Sequence, residues 1–155
     1  MNLLIAIVGI LIAAALQVRM PTLWWLGGVR MEFLPPLVAY VSFTMHRRRA
    51  VVLALIAGMM QDALSAAPFG VSALAYGIAA LLMTSLRDAL DRDLPSVQLG
   101  ASALTSAAAA IIAFFVVGFS FGAIFKMVVV ASISGILAVI LFFVLDYTRM
   151  AWGNA

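Results

Sequence analysis

The chain has 155 residues, 66% hydrophobic and only 10% charged, with a net charge of +3 and no cysteine, and its mean hydropathy is +1.21. Soluble domains run roughly 45–50% apolar and about 25% charged, so an aqueous fold is excluded and lipid must be the solvent. Disulfides and thiol chemistry are excluded too, and the basic residues, set between apolar runs, follow the pattern of membrane topology and not of a nucleic-acid binder.

At about 20 residues per spanning helix, the length predicts six spans joined by short links. That describes one all-α integral membrane domain over residues 1–155, with no room for an aqueous domain. The first apolar run, Leu3 to Leu16, lies between Asn2 and Gln17. A cleaved signal peptide is its rival reading, with Ala13 and Ala15 as a small-residue cleavage pattern, but the basic n-region such a peptide wants is missing. From Arg19 to Glu32 the pattern lapses through Pro21, Trp24-Trp25 and Gly27-Gly28 to Arg30. Paired indoles beside glycines suit a segment at the headgroup level, and a ligand-stacking site is the sharper alternative.

A second helix is predicted over Phe33 to Met45, with Pro35-Pro36 in its first turn, where missing amide donors matter least. His46-Arg47-Arg48-Arg49 follows as an inner loop; a basic tract can bind nucleic acid or anionic lipid, but between two spans it reads as a topology signal. His46 is the single histidine, and with no second ligand nearby a metal site is unsupported. The third helix is expected from near Ala50, and carries Asp62 about 18 Å from its basic end at 1.5 Å per residue. A break at Pro68 and Gly70 precedes the fourth helix, Val71 to Leu86, after which Arg87 to Asp93 returns the chain to water.

The fifth helix, Val97 to Val117, is crowded with alanine, serine and threonine. The sixth, Ala123 to Asp146, follows a tight turn over Gly118 to Gly122. Small residues four apart recur as Ala54 with Gly58, Ala73 with Gly77, Ala131 with Gly135 and Ser134 with Ala138. Such spacing lets helix backbones approach closely in lipid, which predicts packing inside the bundle, with a docking groove for a partner helix as the alternative. With the amino terminus inside, Arg47, Arg48, Arg49, Arg87, Arg92 and Arg149 fall on the inner side, against Arg19, Arg30 and Lys126 outside. Both termini are therefore expected in the cytoplasm.

Catalysis in a membrane needs paired acids, a serine with a base, or a metal cluster. Asp62 and Asp146, the carboxylates on spans, fall at opposite membrane faces, and no serine has a histidine base. Neither a phosphate-cradling loop nor a metal cluster is present, so no enzyme, no cofactor and no metal is expected. A charge inside a span marks a lock or a site. As a lock, Asp62 would accept hydrogen bonds from the free amides around Phe69 to Val71, at the positive end of the fourth helix. As a site, it would meet a partner or a solute in an outer pocket beside Trp24 and Trp25.

Gly58-Met-Met-Gln-Asp62, followed by Phe69-Gly70 and by Tyr76 on the next span, resembles the Gly-Leu-x-x-Asp pattern of the rod shape-determining MreD family. Arg30 through Pro36-Leu-Val-Ala-Tyr40 is similar to that family's Arg-Pro segment. Met59-Met60 replaces the usual leucines, and several residues separate Arg30 from Pro36. The resemblance implies a motif of Arg30, Pro36, Gly58, Asp62, Phe69 and Gly70 for structure or partner binding. It also implies a non-enzymatic subunit of the cell-elongation machinery in the bacterial inner membrane. The implied partners are MreC, with its single membrane helix, and through it or directly the peptidoglycan glycosyltransferase and transpeptidase. The family is similar in architecture to the substrate-binding subunits of energy-coupling-factor vitamin transporters, which supplies an alternative: a solute-binding transport subunit.

Overall fold

A computed structural model describes residues 3–19, 31–65, 68–89, 94–117 and 121–153. Within them six helices follow one another: α1 (Leu3–Arg19), α2 (Leu34–Thr44), α3 (Arg47–Leu64), α4 (Val71–Leu86), α5 (Pro95–Val117) and α6 (Phe121–Gly153). Among the described residues there is no strand. The helices run alternately up and down. Phe33, before α2, meets Gln17 near the end of α1. At the other end, Arg87, just past α4, meets Met45, just past α2.

The fourth helix has the bounds that the sequence predicts; the other five differ by a few residues, and two of those differences have a clear physical reason. The arginine tract is helical, forming the first turn of α3 instead of a loop before it, since arginine is a good helix former. Asp62 stands in the last turn of α3, which ends at Leu64. The sixth helix runs past Asp146 to Gly153, because no glycine or proline stops it earlier. The expected turn over Gly118 to Gly122 lies partly outside the described residues, and Gly122 itself is helical.

The shortest helix is the centre. In α2 all ten residues from Leu34 to Phe43 are buried, and α2 packs on each of the other five helices. At 1.5 Å per residue its 11 residues rise about 16 Å, roughly half the hydrocarbon thickness. Its ends continue as non-helical backbone at Met31–Phe33 and Met45–His46, which lipid tolerates only where protein covers it. By length and composition, two stretches among the described residues suffice to cross a membrane on their own: Pro95–Ile112 in α5 and Val128–Tyr147 in α6.

The outer surface is apolar, as a lipid-facing surface should be. On α3 the buried residues Ala50, Leu53, Ala54, Ala57, Gly58, Gln61 and Asp62 form one stripe. Val52, Leu55, Ile56 and Met59 face outward on the other side. Tyr40 and Phe142 pack edge to face with ring centroids 5.0 Å apart. One turn further along α6, Asp146 Oδ1 accepts the Tyr40 hydroxyl proton at 3.0 Å, which ties α6 to the central helix.

Candidate functional site

The joint between α3 and α4 is built from Gly58 and Asp62, four residues apart and so on one face of α3. Gly58 sets the distance. A Cβ placed there would lie 2.4 Å from Ala73 Cα and 2.6 Å from both Ala73 N and Ser72 O. These are backbone atoms, so nothing larger than hydrogen fits without parting the helices. Asp62 sets the direction. Its Oδ2 accepts the Gly70 amide at 2.8 Å and the Ala73 amide at 3.4 Å, while Oδ1 accepts the Ser72 amide at 2.9 Å.

Three free donors at the start of α4 are thereby satisfied by one side chain that is only 2% exposed. Hydrogen bonds to a charged acceptor contribute about 1.5–3 kcal/mol each, and the helix dipole favours a negative group at this end. Gly70 makes the turn possible. It has φ of +100°, the one positive value among the described residues, in a region where a side chain is strained. Of the donors the sequence predicts, Phe69 to Val71, Gly70 is one that Asp62 meets, and its other two lie further into α4. Phe69 itself stands in the turn with its side chain 72% exposed.

A second polar group, which reading the sequence missed, occupies the same end of the bundle. Gln17 Nε2 donates to Gln61 Oε1 at 2.8 Å, and Gln61 Nε2 donates to Glu32 Oε1 at 3.1 Å. The Phe33 amide donates to Gln17 Oε1 at 3.3 Å. This chain of donors joins α1, α3 and the start of α2, and it ends on a carboxylate. A signal was present: Gln17 and Gln61 are amides at the ends of apolar runs, where an unpaired polar group is costly.

A cavity of about 730 Å³ opens at this corner, lined by Gln17, Val18, Glu32, Gln61, Ala63, Leu64 and Ser65 among the described residues. Its polar wall is the amide and carboxylate chain, whereas Asp62 points into α4. Trp24, Trp25 and Arg30 lie outside the described residues. Pro36 is buried in the first turn of α2 and serves the core. Among the described residues no three His, Asp or Glu side chains gather as a metal ion would require. The arrangement can orient helices and present an amide-and-carboxylate wall.

A family model for the rod shape-determining protein MreD matches residues 1–150. The chain belongs to the MreD family. No curated protein and no solved structure matches it at a significant level. Membership makes it a membrane protein of cell-shape determination, and that family description is of shape and not of a reaction.

Proposed function

We propose that the chain is a non-enzymatic inner-membrane subunit of the rod complex that binds MreC and helps organise peptidoglycan synthesis. The observation that carries this reading is the family match over nearly the whole chain. Supporting it is a bundle in which the buried Asp62 carboxylate is spent on its own backbone, which fits a scaffold better than a catalyst. In this reading all six helices cross, α2 doing so through its protein-covered ends. Arg47, Arg48, Arg49 and Arg87 share one end of the bundle and Arg19 stands at the other, which supports cytoplasmic termini by the positive-inside rule. The glycosyltransferase and transpeptidase are then reached directly or through MreC.

The cavity beside Glu32 favours a second reading, a solute-binding subunit with an architecture like that of energy-coupling-factor transporters. Isolation of the tagged chain from native membranes, followed by mass spectrometry, separates the two. Copurifying MreC, together with rounded cells on depletion, is the expected result. A tightly held vitamin-like molecule with an ATPase motor, and no wall-synthesis protein, would establish the transporter instead.

A further inference from the structure

Among the described residues, the arginine-bearing end of α3 and α4 carries an exposed positive surface, and Asp146, the half-buried acid on that side, is bonded to Tyr40. Three contacts set the register of the antiparallel pair: Gly58 against Ala73, Gly77 against Leu55, and Arg87 Nη1 donating to Met45 O at 3.2 Å. That register brings Arg87 level with the arginines in the first turn of α3. Arg47, Arg48 and Arg49 are all exposed, and α3 has no acidic residue in its first turn. The single ion pair here among the described residues is Arg87 Nε with Asp88 Oδ1 at 3.5 Å, and Asp88 is 90% exposed. Like charges are thus stacked on the positive end of a helix dipole, an arrangement that calls for an outside anion.

The surface below the arginines identifies the anion's source. Arg48 and Arg49 stand one turn above Val52, and the outward stripe continues through Ile56 and Met59, which are 55%, 42% and 51% exposed. A charged head thus tops an apolar track running down the helix. Free phosphate or an acidic peptide would use the head and leave the track unused; a phospholipid uses both. Guanidinium matches phosphate geometry through paired donors.

We propose that this face of α3 is a docking surface for an anionic phospholipid. Its phosphate sits on Arg48 and Arg49 within the field of Arg47 and Arg87, and its chains lie along Val52, Ile56 and Met59. The site does not depend on which wall-synthesis proteins the subunit meets. It makes the protein a reader of leaflet composition at its arginine-bearing end.

Reconstitution of the full chain into nanodiscs of equal phosphatidylglycerol and phosphatidylcholine, followed by native mass spectrometry, tests this. Each basic side chain at an anionic surface is worth about fivefold in partitioning. The retained lipid should therefore favour phosphatidylglycerol by about tenfold or more. Arg48→Gln with Arg49→Gln should bring the ratio near that of the bulk, while Arg48→Lys with Arg49→Lys should keep most of the preference. Raising salt to 1 M, where the Debye length is about 3 Å, should weaken it in the unaltered protein, a measurement that needs no variant to fold. No preference in the unaltered protein would overturn the proposal. So would a preference that survives the glutamine pair, or thermal protection by inorganic phosphate in phosphatidylcholine discs equal to that given by the anionic lipid.

Discussion

Two helix pairs in this protein approach closely over small residues, and they are held by different means. Between α3 and α4, Gly58 meets backbone atoms and a buried carboxylate grips three amides of the neighbouring helix. Between α5 and α6, Gly135 faces the Leu99 side chain, where an added Cβ would lie 3.1 Å from Leu99 Cδ2. The polar tie there is neutral: Ser102 Oγ donates to Ser134 O at 2.9 Å. The first joint fixes both distance and direction, because an ionic cap has few acceptable geometries. The second fixes distance alone, and side chains that can swing leave room to adjust. Small-residue spacing looks the same in both pairs, so the polar residue near the glycine decides how rigid the joint becomes.

The contrast can be broken most directly at Gly58. Gly58→Ala is expected to cost about 4 kcal/mol, since overpacking against backbone cannot be relieved by a rotamer. Parting the helices would also lengthen the three cap bonds. Gly135→Ala should be nearly neutral, with helix propensity gaining about 1 kcal/mol against a small shift of Leu99. Melting temperatures in detergent that fall equally for the two would show the joints to be alike.

Asp62 sharpens the same point from the charged side. Asp62→Leu leaves three amides without an acceptor and should lose about 3 kcal/mol, or roughly 6–12 °C of melting temperature. Asp62→Asn retains one accepting oxygen and should lose about half as much. A leucine variant that melts with the parent would sink the cap. At the neutral joint, Ser102→Ala removes one hydrogen bond between helices in lipid and should cost about 1 kcal/mol or less.

Much of this is legible in the sequence, for reasons particular to each residue. Asp62 stands out because a lone carboxylate in an apolar run must find donors, and the break at Pro68 and Gly70 puts free amides within its reach. The small pairs likewise announce packing. The features that stay hidden depend on partners far apart in the chain. Tyr40 with Asp146 is separated by 106 positions and Gln17 with Gln61 by 44, and nothing local in either residue names its partner. The central place of α2 is hidden as well. Composition shows α2 to be apolar but not that five helices surround it.

The smallest expected effect runs opposite to intuition, at Tyr76. This residue on α4 shares the helix that Asp62 caps, and it is fully buried. Its hydroxyl has no hydrogen-bond partner among the described residues. Phenylalanine fills the same space without the orphaned donor. An unsatisfied buried polar group costs about 1–3 kcal/mol, so Tyr76→Phe should leave stability unchanged or raise it by about 1 kcal/mol, near 2–4 °C. A clear loss of stability would show that the hydroxyl is satisfied in the membrane by bound water. The polar interior would then extend from the Asp62 joint into the middle of α4, and the ionic joint would be part of a larger network instead of a self-contained clasp.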